Sequence, residues 1–503
     1  MSQQTARFAV GLITCFALLG AAPAQARDVL VVDGPRATQT DDPFVPERVG
    51  SDLGREPRAG RSGARSASAS AVTSRGRRAV LGALRRARSK GLISRARYRS
   101  HTRIYALARS RHRRLGGTRR TELGSVIATL ERVAQAGQLT AARMPALFLI
   151  LRRNAEFWPR SAFPADRGVI QFRGSELLFE YYSGHGLQLQ PLVNFKKANL
   201  MHGACVKDTG PCEPAGLRRL LGEMVATSAR RGRFRAWEYY FEFGGGNPPW
   251  MSGMAQATGI QAFGRAAQLL REPRWQRYAG EAMGAFTTPP PTGVATTGPG
   301  GGPHYLQYSF APRLFIFNAF LQSVIGLYDY SELTGDATAR RLFARAEPEA
   351  RREVPLSDTG DWSRYSFAGA ESTSEYHELL REFLASLCSR LRRDVYCSAA
   401  KRYARYTTEP AELRLLGPGT ATRGEATQVR FSLSKLSAVQ LTITRRGKTV
   451  YDRVVTFRRG TGSFAWTPRA TGVHRVRLAA KELRTGKELR SYESGEVESL
   501  PRG

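Results

Sequence analysis

Histidine and acidic residues are the scarce types in this chain. Seven of its 503 residues are histidine. None stands at the paired spacing of metal ligands, which removes support for a metal site. Asp and Glu total 42 against 77 Lys and Arg, a formal net charge of +35. A surface so short of negative charge attracts polyanions: nucleic acid, acidic polysaccharide or an anionic cell envelope. Long apolar runs are also rare. The clearest, Phe8 to Ala22, is shorter than the roughly 20 residues of a membrane helix. The glycine-rich FGGGNPPW at 243 to 250 has no following Lys-Ser/Thr, so it is no phosphate-binding P-loop.

What is present at the amino terminus points to a compartment. Arg7, the apolar run Phe8 to Ala22 and then Ala24-Gln25-Ala26 have the layout of a secretory signal peptide over residues 1–26. An uncleaved anchor is the other reading, and the shortness of the run weighs against it. A secreted or cell-envelope protein this basic has acidic glycans as its natural partner, not nucleic acid. No stable membrane insertion is expected after cleavage. Cysteine usage agrees. Cys15 lies in the leader, and Cys205, Cys212, Cys388 and Cys397 form two close-spaced pairs. An oxidising compartment favours disulfides Cys205–Cys212 and Cys388–Cys397. A zinc site from the same four lacks any C-x-x-C or paired-histidine spacing.

Residues 27–75 are rich in Arg, Ser, Gly, Pro and Ala and read as a disordered basic linker. Residues 76–136 carry basic helical patterns, with Val80, Leu81, Leu84 and Leu92 among arginines. Their charge reads either as a solvated face or as an electrostatic guide for a polyanion. From 137 to 412 helical periods dominate. Leu217, Leu220, Leu221 and Met224 fall on one stripe, as do Met254, Ala257, Ile260 and Phe263, and Leu379, Leu380, Phe383 and Leu387. Residues 160 to 195 have β-favouring stretches and read as short strands or an extended loop. After about 415 the period changes to two: Val429, Phe431 and Leu433, then Val439, Leu441 and Ile443. Residues 415–503 therefore read as a small immunoglobulin-like β-sandwich with an accessory role.

The segment His304 to Leu333 carries the most specific pattern. Tyr308 and Pro312 precede Phe315, Asn318, Phe320, Ser323, Ile325, Gly326, Leu327, Tyr328 and Asp329. This spacing resembles the central motif of the D-glucuronyl C5-epimerase family. Three further stretches are similar to that family. Trp250, Ser252, Met254, Ala255 and Gln256 match one motif. Asp358, Thr359 and Gly360 with Tyr365 match a second, and Tyr376 with His377 a third. GLQLQPLVNF at 186 to 195 resembles the family's early loop. The resemblance implies a mainly α fold, an α/α toroid with a loop-lined cleft over residues 137–412. It implies inversion of C5 of glucuronate residues in an acidic polysaccharide without a cofactor. It puts the catalytic roles on Tyr308, Tyr365 and Tyr376.

The chemistry asks for such residues. Loss of the C5 proton, alpha to a carboxylate, puts a second negative charge on that group, so cations or strong donors must meet it. Inversion needs a base on one ring face and an acid on the other. A phenol, with an ordinary pKa near 10, serves as base only beside a cation. Two residues depart from the family pattern: Gln307 stands where a glutamate is usual, and Ala368 where an arginine is usual. Arg364, Arg313 or His377 are the substitutes at hand. Trp250 and Trp362 are candidates for sugar stacking, each otherwise a loop anchor. His185, between glycines, is a candidate carboxylate contact. Tyr328 reads as core. Three other outcomes stay open on sequence: a lyase that starts with the same proton abstraction, a two-carboxylate hydrolase drawing on Glu180, Glu238, Glu242, Asp358 or Asp361, and a glycan-binding protein without activity.

Overall fold

The computed structural model describes residues 27–34, 36–46, 74–159 and 163–502. The expected leader at 1–26 lies outside the described residues. Strands β1 (Arg27–Asp33) and β2 (Arg36–Asp42) form an antiparallel hairpin. Four helices follow: α1 (Ser74–Ser89), α2 (Arg95–Arg114), α3 (Gly117–Gln135) and α4 (Met144–Phe157). Here α1 packs on α3 and α2 on α4. Next come β3 (Val169–Phe172), β4 (Leu178–Tyr182) and β5 (Gly186–Leu189). They join the hairpin in a five-stranded sheet of order β2-β1-β3-β4-β5, in which β1 and β3 run parallel.

Helical hairpins make up the middle of the chain. They are α5 (Pro191–Lys207) with α6 (Pro214–Thr227), α7 (Gly253–Leu269) with α8 (Pro273–Ala282), α9 (Phe317–Thr334) with α10 (Ala337–Leu356), and α11 (Ser374–Leu391) with α12 (Asp394–Thr408). In each pair the two helices touch, and α5, α7, α9 and α11 pack side by side in an open row. Short ribbons lie between the hairpins: β6 (Ala229–Arg231) with β7 (Phe234–Ala236), β8 (Glu238–Tyr239) with β9 (Trp250–Met251), and β10 (Ala295–Thr297) with β11 (Pro303–Tyr305). Every residue of α9 from Phe317 to Leu327 is buried, so this helix has no solvent-exposed face there and lies at the centre. Gly326 lets α9 approach α7: a Cβ there would stand 2.6 Å from the Ala257 carbonyl oxygen. Gly335 ends the helix in the left-handed conformation with φ 70°.

The end of the chain is all β. Strands β12 (Leu413–Gly417), β14 (Thr427–Leu433) and β17 (Gly460–Trp466) make one sheet. Strands β13 (Thr420–Thr422), β19 (Arg490–Leu500), β18 (Gly472–Glu482), β15 (Ser437–Arg445) and β16 (Lys448–Phe457) make the other. Inward residues of both sheets, among them Phe431, Leu441, Trp466 and Leu478, share one core.

Two expectations are corrected here. The molecule is 45% helix and 25% strand, so it is not mainly α, and no α/α toroid is shown among the described residues. The helical period reports the buried face of each helix, not whether a row of helices closes. Sheets also occupy stretches the period could not assign. The described part of 27–75 is not linker throughout, because β1 pairs with β3 across more than a hundred residues. Among the described residues no helix is long and apolar enough to cross a membrane.

Candidate functional site

The N-terminal ends of α5, α7, α9 and α11 meet. Leu192, Met254, Ala319 and Leu379, one from each, belong to a single apolar cluster with Tyr182, Tyr239, Phe241, Phe243, Trp250 and Tyr308. Tyr365 and Tyr376 pack against the same cluster. Local sequence fixes these helix starts. Gln190, Ser252 and Thr373 are N-caps whose side chains accept from the backbone N–H of Leu192, Ala255 and Tyr376. The N-cap of α9, Ile316, has no side chain to do this. Four helix N-termini, each the positive end of a helix dipole, therefore face one region.

Aromatic contacts order the cluster. Trp250 stacks on Tyr239 with centroids 4.2 Å apart, and its indole N–H donates to the Phe241 carbonyl at 2.8 Å. The Tyr308 ring stands edge-on to Trp250 at 5.7 Å and lies parallel to Phe310 at 5.2 Å. Tyr365 and Tyr376 meet edge to face at 4.9 Å. Gln307, buried beside Tyr308, accepts from the Ser252 hydroxyl at 3.2 Å, which ties it to the cap of α7. His185 lies 5.6 Å from the Phe241 ring. The structure thus brings Tyr308, Tyr365, Tyr376, Trp250, Gln307 and His185 to one region.

Two other candidates face away from it. His377 is fully buried and stacks on Trp362 at 3.8 Å. Its Nδ1 bonds Ser363 at 2.8 Å and its Nε2 the Tyr403 carbonyl at 3.0 Å. Burial lowers its pKa below the usual histidine value. Trp362 is 0% exposed, and its N–H donates to the Ser372 carbonyl. Both anchor the α10–α11 loop from behind; neither meets a sugar ring. Arg364 is half-buried and donates to the Gly369 carbonyl at 3.1 Å, while Arg313 is exposed. Tyr328, expected in the core, is only half-buried against Phe343. Both expected disulfides are present, with Cα atoms 4.4 Å apart for Cys205–Cys212 and 4.8 Å for Cys388–Cys397.

Sequence reasoning missed three supporting groups. The first is a buried relay in which Tyr239 donates to Gln190 at 2.9 Å, Gln190 to Tyr182 at 2.9 Å, and Tyr182 to Glu180 at 2.6 Å. Burial, then the Glu180 charge, pushes the Tyr182 phenol well up. The second pins the glycine-rich loop ahead of Tyr308. Glu349 accepts from the N–H of Gly300 at 2.6 Å and Gly302 at 2.9 Å. A Cβ on Gly300 would stand 2.7 Å from that carboxylate. Glu353, one turn on, bonds His304 at 2.8 Å, and burial pushes it up to about 9. Two glutamates four apart in an arginine-rich helix were the available signal. The third is Arg484 of the β18–β19 turn. It holds Asp361 at 2.6 Å and both Glu371 oxygens at 2.9 Å, on either side of Tyr365 in the chain.

Residues 231–405 match the family model described as D-glucuronyl C5-epimerase C-terminus. A D-glucuronyl C5-epimerase of Caenorhabditis elegans is 31% identical over 130 residues, 24% of this chain and 21% of that protein. An uncharacterized protein of Methanocaldococcus jannaschii is 24% identical over 176 residues, 34% of this chain and 57% of that one. The chain spans less than two thirds of either relative. Among solved structures, the endo-beta-1,4-glucanase CMCax from Acetobacter xylinum is 12% identical over 42% of this chain and 67% of its own, at a TM-score of 0.30, too low to assign a shared fold. The matched stretch contains Trp250, Tyr308, Tyr365 and Tyr376, and over residues 231–405 the chain is similar to the C-terminal part of D-glucuronyl C5-epimerases.

Proposed function

We propose that this protein is a secreted uronic-acid C5-epimerase, inverting C5 of glucuronate residues in an acidic polysaccharide. The observation that carries the reading is the meeting of Tyr308, Tyr365 and Tyr376 in one aromatic region at four helix N-termini. Tyr308 comes from the segment before α9, while Tyr365 and Tyr376 come from the α10–α11 loop and α11. Two groups on different elements suit the two faces of a sugar ring. One tyrosine, as phenolate, takes the C5 proton, and the electron pair moves into the carboxylate to give an enediolate. The opposite phenol then delivers its proton to C5 from the other face. The helix N-termini, with Arg364 or Arg313, oppose the added negative charge. The two disulfides suit an oxidising compartment.

The test is incubation with glucuronate-containing polysaccharides in heavy water. An epimerase puts deuterium at C5 and leaves chain length unchanged. A chain-shortened product with an ultraviolet-absorbing unsaturated uronate makes the protein a lyase. Neither change removes the enzymatic reading.

A further inference from the structure

A cavity of about 630 Å³ opens beside the tyrosine region. Its volume is that of a small-ligand site. Trp250 and Phe310 line one side, and both rings also touch Tyr308, so the cavity lies one aromatic layer from that phenol. Four arginines are among the other lining residues: Arg132 of α3, Arg143 at the N-cap of α4, and Arg230 and Arg231 of β6. Two of them come from the amino-terminal helices, outside the family match at 231–405.

Charge at this cavity is unbalanced. Glu238 is shared by Arg143 at 2.8 Å and Arg231 at 2.9 Å. Glu281 is shared by Arg230 at 2.9 Å and Arg235 at 2.8 Å. Arg132 pairs with Glu242. The four lining arginines thus meet three carboxylates, one of which, Glu281, is also held by Arg235 from outside the lining, so positive charge is in excess. Position separates their roles. The side chains of Arg143 and Arg231 are 11% and 10% exposed around a Glu238 that is 0% exposed, so they are fixed parts of the wall. Arg132 is 40% exposed, and its partner Glu242 34%. An exposed pair of this kind is weak and screened by solvent, so a ligand anion can replace Glu242 on Arg132. A guanidinium fork matches a carboxylate or sulfate, and the half-buried Phe310 ring, backed by the buried Trp250, suits the apolar face of a sugar ring.

We infer that this cavity binds an anionic sugar residue of the polysaccharide next to the one that reacts, with Arg132 as its ligand-facing contact. The identity of the polymer rests on the epimerase reading; the binding does not. The amino-terminal helices then contribute part of the substrate cleft and are more than a solvated basic face.

The test is calorimetric titration of the full chain with a glucuronate-containing hexasaccharide at low salt, and with the same sugar after its carboxylates are reduced to alcohols. Arg132→Gln is expected to weaken binding at least about tenfold, the loss of one charge-assisted pair. Arg392→Gln removes the same charge from the exposed turn after α11 and is expected to change binding less than about twofold. Glu242→Gln removes the competing carboxylate and is expected to tighten binding, an outcome that misfolding does not produce. The reduced sugar is expected to bind weakly to all forms. Equal binding by wild type and Arg132→Gln, or equal binding of the reduced sugar, overturns the assignment. A wild type that binds through Arg132 but exchanges no C5 proton keeps this site and loses the epimerase reading. Exchange with unaltered binding by Arg132→Gln does the reverse.

Discussion

Arg484→Met offers a demanding test of how the β-sheet unit supports the tyrosine region. Arg484 is 10% exposed in its side chain and lies 5.6 Å from the Trp362 ring centroid. Its partner Asp361 is 4% exposed, while Glu371 is 32% exposed. The substitution removes the cation paired with the Asp361 carboxylate, which keeps the Thr359 hydroxyl at 3.0 Å and the field of Lys435. Breaking a buried pair from one side costs about 3–5 kcal/mol. The more exposed Glu371 half adds no more than about 1 kcal/mol. A total near 4 kcal/mol is expected in urea denaturation followed by tryptophan fluorescence. The double variant Arg484→Met with Asp361→Asn removes the stranded charge and should recover about 2–3 kcal/mol relative to the summed single changes. Because the α10–α11 loop carries Tyr365, C5 exchange should fall in Arg484→Met and return in part in Arg484→Lys. A cost below about 1 kcal/mol, or additive single changes, refutes the reasoning that this pair is a buried, coupled clamp.

Glu353 makes stability pH-dependent. Its folded pKa of about 9 lies above the ordinary 4.5, so its contribution is full below the ordinary value and is lost as pH rises toward 9. Wild type should therefore lose up to about 1.4 kcal/mol per pH unit relative to Glu353→Gln between about pH 6.5 and 8.5; parallel denaturation curves across that range contradict the assignment. Gly326→Ala presses a methyl group against the Ala257 carbonyl and should cost about 1–3 kcal/mol by overpacking, read as a lower urea midpoint. An unchanged midpoint means that α7 and α9 are free to separate.

Local signals in the sequence led to much of the tyrosine region. Motif spacing singled out Tyr308, Tyr365 and Tyr376; Tyr308 belongs to one apolar cluster, and Tyr365 and Tyr376 pack against it. The same spacing singled out His377 and Trp362 but says nothing of depth. Their polar atoms turn inward because Ser363, Ser372 and the Tyr403 carbonyl supply partners there. Pro312 marks a turn, and α9 begins only at Phe317, where its backbone N–H reaches the Tyr365 carbonyl at 3.4 Å. Strand β1, RDVLVVD, is a short β-favouring run next to a linker-like stretch, and its partner β3 lies more than a hundred residues away in the chain. Arg484 and Asp361 are 123 residues apart, so no local pattern announces their pairing. Helical periodicity likewise finds buried faces and leaves the arrangement of the hairpins undetermined.

The central claim is that tyrosine hydroxyls exchange the C5 proton. The most direct measurement is the C5 deuterium-incorporation rate of Tyr308→Phe, Tyr365→Phe and Tyr376→Phe against wild type on a glucuronate polysaccharide. Each change removes one hydroxyl and keeps the ring that packs on Phe310, Trp250 or its partner tyrosine. Exchange should fall by about 10² to 10⁴ in at least one of Tyr308→Phe and Tyr376→Phe, the range of general acid–base catalysis. Loss of one face's acid should still permit exchange at the other face while inversion stops. A wild type that exchanges C5 protons, with all three variants matching it, contradicts the account and moves the acid–base pair to His185 and the carboxylates near Glu180.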